Sequence, residues 1–362
     1  MDKKQLWLVA GTRPEIIKMA PLYFACRKST VLRPLFCLSG QHDGLAETAL
    51  ADFGLVPELR FPAETGSLAE TTARLLRLFG EAISAHAPHG VAVHGDTATA
   101  FSAALAAFYE KVPVFHVEAG LRTGDLNAPF PEELYRVTVD RLARHCFAPT
   151  EAARRSLLRE GRAEEDITVS GNTVVDALRY TVTKDFSHPY LGESKEKKLI
   201  LLTCHRRESH ALLPSLLWGI RRAIEDRDDV LLLFPVHPSP ATREAAKATF
   251  GDCPNARLLP PLSALLFHNL LSRAHLLLTD SGGAEEEATA LGIPTLVLRE
   301  KTERPEGVTA GVLFPVGTEG ERVKQALCQM LDTPPTVRPS SVYGDGHAAE
   351  RIVRRVEKLL IG

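Results

Sequence analysis

Short, uninterrupted apolar segments that alternate with longer helical patterns are the feature that most constrains the fold of this chain. Continuous runs of valine, leucine and isoleucine are typical of strands covered on both faces, as in parallel sheets with helical crossovers. Helical patterns such as 68–86 and 97–111 separate these runs. The pattern predicts two doubly wound, Rossmann-like α/β domains. The expected strands are 5–10, 34–39, 90–94, 112–117 and 145–148, then 198–203, 230–234, 274–279 and 295–298.

The domain boundary is expected near Ser170-Gly-Asn172, ahead of a polar stretch at 183–197. We therefore predict an N-terminal domain over 1–170, a second domain over 171–346 and a final helix over 347–362. Apolar residues of the final segment share one helical face, so this helix is expected to pack back on the first domain. Ligands of open α/β sheets bind beyond the carboxyl ends of the strands, which predicts a site in a cleft between the two domains.

Composition and charge exclude several function classes. The 362 residues are 44% hydrophobic and 24% charged, with a formal charge of −2, so a general nucleic-acid or membrane-surface binder is not expected. The six cysteines are scattered without a CxxC pair, which indicates reduced thiols in a cytoplasmic protein. No apolar run reaches membrane-spanning length.

The polar motifs of the first half follow expected strands. After the first strand, Gly11-Thr-Arg-Pro-Glu-Ile-Ile-Lys18 combines a tight turn with a helix start, where N–H groups, Arg13 and Lys18 favour an anion. An ordinary capped helix is the alternative. Carboxylates follow two later strands, and they are Asp96, Glu118, Glu132 and Glu133.

These carboxylates admit three interpretations. Several acids at one strand edge favour proton transfer, which needs carboxylates tuned by burial and by neighbouring charges. Ion pairing to Arg122 and Arg136 is the structural alternative. Carboxylates also suit hard cations, but the chain lacks a dense cluster of Asp and His ligands, so no metal is expected.

The motifs of the second half suit a nucleotide diphosphate. In Thr279-Asp-Ser-Gly-Gly-Ala-Glu-Glu-Glu287, Ser281 is expected to cap a helix, and Gly282 and Gly283 allow backbone N–H groups to approach a phosphate. A carboxylate one to two turns along this helix is well placed to accept hydrogen bonds from ribose hydroxyls. His205, within Cys204-His-Arg-Arg-Glu208, suits a pyrophosphate leaving group. A well-capped acidic helix and a structural histidine are the respective alternatives.

Taken together, the motifs resemble those of the non-hydrolysing UDP-N-acetylglucosamine 2-epimerases. The resemblance runs through most of the chain, in the order GTRPEIIKMAPL, SGQH, VHGDT, FHVEAGLRTG, PFPEE, APTE, SGNTVVDAL, CHRRES, PVHP, TDSGGAEEE and TERPEG. It implies a fold similar to GT-B glycosyltransferases, a homodimer, and no metal or other cofactor. It also implies interconversion of UDP-GlcNAc and UDP-ManNAc through a 2-acetamidoglucal intermediate, in bacterial surface-polysaccharide synthesis.

The resemblance also implies roles for individual residues. Asp96, Glu118 and Glu132 match the acid–base carboxylates of the family, and His205 matches its histidine at the diphosphate. The residues that match its nucleotide contacts are Arg13, Ser281, Gly282 and Glu287, and Lys18 matches a residue important in the family.

The chain departs from the family pattern at four places, one of which is Ser209-His-Ala-Leu-Leu213, where the family usually has a glycine-bearing loop. Tyr135 replaces an asparagine near Glu132, and Cys204 replaces a glycine. The segment after Gln41-His42 lacks the long polar side chains that help many members bind an activating second UDP-GlcNAc.

Two other functions stay open: C2 epimerisation of a related UDP-2-acetamido sugar, and GT-B glycosyl transfer from a UDP-sugar donor.

Overall fold

Two parallel β-sheets organise the chain, one in each of two units. The computed structural model describes residues 2–40, 44–63, 66–204, 212–300 and 302–361. Unit 1 comprises Met1–Tyr180 with Gly344–Gly362, and unit 2 comprises Thr181–Tyr343. The predicted boundaries at 170/171 and 346/347 are close to these limits but stay a prediction, as does the cleft between the domains.

Unit 1 holds a sheet of seven strands within the described ranges, with helices between consecutive strands. Its strands are β1 (Lys4–Ala10), β2 (Leu32–Leu38), β3 (Leu59–Arg60), β4 (Gly90–His94), β5 (Val114–Val117), β6 (His145–Ala148) and β7 (Ile167–Val169). Its helices are α1 (Arg13–Arg27), α2 (Gly44–Phe53), α3 (Leu68–His86), α4 (Ala98–Tyr109), α5 (Glu132–Leu142), α6 (Glu151–Arg159) and α7 (Thr173–Thr181). The last residue of α7 is the first residue of unit 2.

Unit 2 repeats the arrangement with a sheet of six strands in the described part of the chain. Its strands are β8 (Lys198–Thr203), β9 (Val230–Pro235), β10 (Ala256–Leu259), β11 (Leu276–Thr279), β12 (Thr295–Val297) and β13 (Leu313–Pro315). Its helices are α8 (Pro189–Glu193), α9 (Leu213–Ile224), α10 (Pro240–Phe250), α11 (Ala264–Leu271), α12 (Gly282–Leu291), α13 (Pro305–Thr309) and α14 (Gly320–Asp332). The chain then returns to unit 1 and ends in α15 (Ala348–Ile361).

Both sheets have the strand order of a doubly wound fold. The first runs β3-β2-β1-β4-β5-β6-β7 and the second β10-β9-β8-β11-β12-β13, and the adjacent strands pair in parallel. The strand order reverses between β1 and β4 in unit 1 and between β8 and β11 in unit 2. Such a switch point opens a crevice at the carboxyl ends of the two strands, where ligands of these folds bind. The predicted fold class is confirmed.

Alternate residues of each central strand enter cores on opposite faces of the sheet. In β8, Ile200 and Leu202 pack into a core that includes α9 and α14, whereas Leu199 and Leu201 pack into a second core that includes α11. All four are essentially inaccessible to solvent. Because both faces are covered, neither set of alternate positions can be polar, which explains the continuous apolar runs in the sequence.

The nine expected strands are present, whereas β3, β7, β10 and β13 were not predicted. These four are the outermost strands of the two sheets. They are only two to four residues long and are partly exposed. An edge strand has a neighbour on one side only and needs no continuous apolar run, so the pattern that indicates the central strands does not detect it.

The C-terminal helix packs on unit 1, as predicted. Ile352 and Val356 of α15 are buried, and the helix lies against α1. The Ser29 hydroxyl after α1 donates to Glu357 of α15 at 2.5 Å. Asp176 of α7 caps the start of α15, because its two carboxylate oxygens accept hydrogen bonds from the backbone N–H groups of Ala348 (3.1 Å) and Ala349 (2.8 Å). No helix within the described ranges is both long and apolar enough to cross a bilayer.

We predict that Asp176→Ala lowers the free energy of unfolding by about 1–2 kcal/mol, because two N–H groups at the start of α15 lose their acceptors. Chemical denaturation measures the loss, and hydrogen exchange should show reduced protection over Ala348–Ile361. Arg354→Ala, at an exposed position of the same helix, is the control and should change stability by less than about 0.5 kcal/mol. Unchanged protection of α15 in Asp176→Ala would contradict this capping role.

Candidate functional site

The turn from β1 into α1 has room for glycine only. A Cβ atom on Gly11 would lie 2.1 Å from the Thr99 hydroxyl oxygen and 2.3 Å from that of Ser39. Helix α1 therefore begins directly beyond the end of β1, with Arg13 as its first residue and Thr12 as its N-cap. Arg13 is half-buried here, and Lys18 is buried one to two turns further along the helix.

Glu15 connects this turn to the segment that follows β4. One carboxylate oxygen accepts hydrogen bonds from the backbone N–H groups of Gly11 (3.0 Å) and Thr12 (2.8 Å), and the other accepts from the Thr97 hydroxyl at 2.7 Å. Burial raises the pKa of Glu15 to about 7, although these donors act in the opposite direction. The two loops at the switch point of unit 1 are thus held together by one buried carboxyl group.

Glu118 directly follows β5 and is bound by donors from two other segments. Its Oε2 atom accepts a hydrogen bond from the ammonium group of Lys18 and another, at 2.5 Å, from the side-chain amide of Asn172. Side-chain exposure of Lys18 and Glu118 is only 10% and 11%. The backbone φ of Glu118 is +66°, a left-handed conformation that is uncommon outside glycine and recurs at functional sites.

His94 adds a neutral group beside the same carboxylate. Its Nε2 atom lies 3.7 Å from Glu118 Oε2. Burial lowers the pKa of His94 to about 3, and the nearby Lys18 charge acts in the same direction, whereas Glu118 opposes it. The imidazole is therefore neutral at physiological pH.

Asp96 follows β4 and is paired with an arginine of α5. Arg136 donates to Asp96 Oδ2 through Nε (2.9 Å) and through a terminal nitrogen. Arg136 also lies 3.3 Å from Glu133 Oε2, and Glu133 Oε1 accepts from the N–H groups of Thr123 and Gly124. The ion pairing considered in the sequence analysis is therefore present for Asp96 and Glu133. Glu133 therefore has a structural role, because it binds the backbone of the loop before α5.

Glu132 is the first residue of α5, one turn before Arg136. Its Oε2 atom is buried and has no hydrogen-bond partner within the described part of the chain. A buried carboxylate oxygen without a partner is costly and is typical of a position that a ligand or solvent completes. Asp96, Glu118 and Glu132 thus have three different environments on elements that meet at the same edge of the sheet.

Tyr135, where the chain departs from the family pattern, packs into the core of unit 1. Its ring stacks on Phe101 of α4 with centroids 4.8 Å apart, and its hydroxyl oxygen lies 3.4 Å from that of Thr72. The side chain is 6% exposed. The substitution exchanges an amide for an aromatic ring that joins α5 to α3 and α4.

A second buried network positions the loops that carry Asp96 and Glu118. The His116 ring lies between the carbonyl oxygen of Gly95 (2.8 Å from Nε2) and Asp140 Oδ1 (2.6 Å from Nδ1). Asp140 Oδ2 also accepts from Gly120 N and from Arg122. Burial raises the pKa of Asp140, but the charges and hydrogen bonds of His116 and Arg122 outweigh it and hold the pKa below its usual range. His116 orients these loops through its two hydrogen bonds, and Arg122 supports Asp140.

In unit 2, the turn from β11 into α12 carries the predicted phosphate-binding residues. Ser281 is the N-cap of α12, but its side chain makes no capping hydrogen bond within the described residues, so the expected cap is wrong. The Ser281 N–H instead donates to the Thr279 hydroxyl at 3.0 Å. Gly282 and Gly283 form the first turn, and a Cβ atom on Gly283 would contact nothing within 4 Å.

The three glutamates of α12 have different partners. Glu285 accepts from the Thr302 hydroxyl at 2.6 Å, and Glu286 forms a buried pair with Arg304 at 2.5 Å. Glu287 lies 3.3 Å from His268 Nε2. The segment that contains Thr302 and Arg304 therefore binds α12 directly. His205 and the Gln41–Asp43 segment lie outside the described residues.

Comparison with known proteins identifies the family. The family model described as UDP-N-acetylglucosamine 2-epimerase matches residues 25–357. A UDP-N-acetylglucosamine 2-epimerase of Bacillus subtilis is 43% identical, with 98% of this chain and 96% of that protein covered. The chain belongs to the UDP-N-acetylglucosamine 2-epimerase family.

Solved structures of this epimerase family have the same fold. The structure of S. aureus MnaA with UDP has a TM-score of 0.94 and 40% identity, covering 99% of this chain and 97% of that one. The Neisseria meningitidis UDP-GlcNAc 2-epimerase bound to UDP-GlcNAc has a TM-score of 0.92 and 34% identity, covering 98% and 100%.

Sequence reasoning missed three residues of the site in this epimerase-family chain: Glu15, Asp140 and Asn172. All three lie within or near quoted motifs, but their contacts cross between elements distant in sequence. Asp140 is seven residues beyond Glu133, on the same α5, and no local pattern distinguishes it from a surface acid. Asn172 belongs to Ser170-Gly-Asn172 and to the SGNTVVDAL motif, but neither pattern predicts its contact with Glu118.

We predict that the stability contributed by Glu15 falls as pH rises. Because the folded pKa of about 7 is above the ordinary value of 4.5, protonated Glu15 stabilises the fold fully below about pH 4.5, and this contribution is lost as pH rises through 7. The difference in free energy of unfolding, wild type minus Glu15→Gln, should decrease by roughly 2–3 kcal/mol from pH 5 to pH 8.

Both proteins are compared by denaturant unfolding in a Trp218→Phe background. Trp7 is then the remaining tryptophan, and it is buried in unit 1, so its fluorescence reports on the unit that contains Glu15. A difference between wild type and variant that stays constant across this pH range would show that Glu15 does not titrate as described.

Proposed function

We propose that this chain catalyses the reversible C2 epimerisation of UDP-GlcNAc to UDP-ManNAc. A base removes the C2 proton, the C–H electron pair forms the C1=C2 bond of a 2-acetamidoglucal, and UDP leaves with the electrons of the C1–O bond. UDP then adds back to C1 while a proton is delivered to the opposite face of C2. The observation that carries this proposal is the set of three differently partnered carboxylates, Asp96, Glu118 and Glu132, in a chain of this family.

The environments of the three acids suit a reaction on two faces of one carbon. Proton removal and proton return require acid–base groups on opposite sides, so a single carboxylate is insufficient. Glu118 and Asp96 each have a cationic partner, Lys18 and Arg136, which compensates the charge of a carboxylate beside the apolar sheet. Glu132 presents a buried oxygen that a substrate proton or hydroxyl group would satisfy.

We assign UDP binding to Arg13 and Lys18 of unit 1 and to the start of α12 in unit 2. The Ser281 hydroxyl, which makes no capping bond within the described residues, and the N–H groups of Gly282 and Gly283 offer donors to a diphosphate at the positive end of the helix. Glu287 is the proposed ribose partner, and His205 the proposed group at the leaving diphosphate. The UDP and UDP-GlcNAc complexes of similar proteins support a UDP-sugar substrate.

We further propose a cytoplasmic homodimer. Six free cysteines, five of them buried, support a reducing compartment. Phe108 and Tyr109 at the end of α4 are 54% and 63% exposed with ring centroids 6.4 Å apart, which supports an apolar contact with a second copy. Sedimentation velocity of the purified protein tests the assembly.

The reaction is tested by incubating the protein with UDP-GlcNAc in D₂O and following C2 by NMR. We expect UDP-ManNAc to form with deuterium at C2, because the proton that returns comes from a group that exchanges with solvent. Free ManNAc with UDP would indicate hydrolysis instead. UDP release and sugar transfer without C2 deuterium would indicate a glycosyltransferase. No exchange at C2 with UDP-GlcNAc, but exchange with another UDP-2-acetamido sugar, would change the substrate.

We predict that Asp96→Asn, Glu118→Gln and Glu132→Gln each lower kcat by about 10²- to 10⁴-fold, because each removes one acid–base group. UDP affinity, measured by calorimetry, should change by less than roughly threefold, since the proposed diphosphate donors remain. Glu47→Gln alters an exposed carboxylate of unit 1 and should keep wild-type kcat. Near-normal kcat in all three variants would exclude these residues as the acid–base groups.

A further inference from the structure

The Asn172 side chain makes two contacts, one that caps a helix and one with a carboxylate of the candidate site. It follows β7, is 2% exposed, and precedes the first residue of α7. Its Oδ1 atom accepts a hydrogen bond from Val174 N at 3.1 Å, which caps α7. Its Nδ2 atom donates to Glu118 Oε2 at 2.5 Å, across a separation of 54 residues.

The two contacts together define the orientation of the amide. A backbone N–H can only donate, so the atom facing Val174 is the oxygen, and the nitrogen then faces Glu118. Rotating the amide by 180° would place an acceptor against the carboxylate and a donor against an N–H group. The cap therefore locks the direction in which Asn172 donates.

Capping alone does not require an asparagine. Elsewhere in this chain, the hydroxyl groups of Thr97 and Thr150 accept the same kind of hydrogen bond from backbone N–H groups at the starts of α4 and α6. A hydroxyl at position 172 would serve α7 equally well but is too short to span to Glu118 while capping. Asparagine differs from serine and threonine in its amide donor, and this amide donates to the Glu118 carboxylate.

Glu118 needs external support because its own backbone is in an unfavourable conformation. A glutamate at φ +66° costs of order 1–2 kcal/mol relative to an extended or helical backbone. Among the described residues, the titratable groups that lie against its carboxylate include Lys18, on α1, and the neutral His94, on β4. Lys18 and Asn172 bind the same oxygen from segments that follow β1 and β7, respectively.

We propose that Asn172 is a positioning residue for the epimerisation, which keeps the Glu118 carboxylate ionised and oriented by donating to its Oε2 atom. This inference rests on the function proposed above. Asn172 does not touch substrate in this scheme and acts through Glu118. A charge-assisted hydrogen bond to a buried carboxylate favours its ionised form, so loss of the donor changes both the orientation and the proton affinity of Glu118.

The decisive variant is Asn172→Asp, which has nearly the same shape. It retains the oxygen that caps α7 but replaces the donor with a second carboxylate against Glu118. Two adjacent carboxylates favour sharing one proton, so protonation of Glu118 should occur at higher pH. We expect kcat at pH 7 to fall about 10- to 100-fold. The acidic limb of the kcat–pH profile should move up by about one pH unit or more, with KM for UDP-GlcNAc changed less than roughly threefold.

The second variant is Asn172→Ser. A serine hydroxyl can cap α7, but the shorter side chain does not reach Glu118 while it does so. It should lower kcat by roughly tenfold with a smaller displacement of the acidic limb, because no negative charge is added. The matched control is Asn255→Asp. Asn255 is a buried asparagine of unit 2 whose Nδ2 donates to the Ile224 carbonyl oxygen at 3.0 Å. Asn255→Asp introduces a buried carboxylate into unit 2, whereas the proposed acid–base groups belong to unit 1, so the acidic limb should stay in place.

The outcomes separate this inference from the proposed function. If wild type exchanges deuterium at C2 and Asn172→Asp has the wild-type kcat and pH profile, Asn172 has no positioning role. If both Asn172 variants lose kcat only in proportion to a fall in thermal midpoint, as Asn255→Asp then also would, the role is structural and the inference is wrong. If wild type itself shows no exchange at C2, the proposed function is wrong, and the inference that rests on it is wrong too.

Discussion

The parallel pairing of β1 with β4 is the constraint on which the candidate site of unit 1 depends. The strand order reverses at this pair, so the chain leaves both strands at the same edge and toward opposite faces of the sheet. The turn at Gly11 and the segment at Asp96 therefore lie side by side. Glu15 joins them through Thr97, and β5, next to β4, adds Glu118 at the same edge. Unit 2 repeats this topology, with α12 starting beyond the end of β11.

Charge compensation then decides how the acids at this edge can act. Two of the three acids, Glu118 and Asp96, have partners from other elements, because an isolated buried charge is costly. Lys18 and Asn172 serve Glu118, and Arg136 serves Asp96. Glu132 differs, since its Oε2 atom has no hydrogen-bond partner within the described residues. This unequal partnering is what makes three carboxylates chemically distinct although they belong to one residue class.

The sequence-based predictions were correct for strands with a continuous apolar pattern and missed the strands that lack one. Central strands such as β1 and β8 are continuous apolar runs, because helices cover both faces of the sheet. The edge strand β3 has two residues and no such run. The expected cap by Ser281 was wrong because residue type and position predict a cap, whereas rotamer and local geometry decide whether the bond forms. Tyr135 was noted as a departure, but its place in the core was not predictable.

The amino-acid sequence by itself determined the fold class, the order of the strands along the chain and the motifs at their carboxyl ends. These properties depend on hydrophobic periodicity and on turn residues, which act over a few neighbouring positions. Only the tertiary structure decided the partners of each acid. The contact between Asn172 and Glu118 joins residues 54 positions apart, and that between Lys18 and Glu118 joins residues 100 apart. Which side chains meet across such distances depends on strand order and on packing, and no local pattern records either.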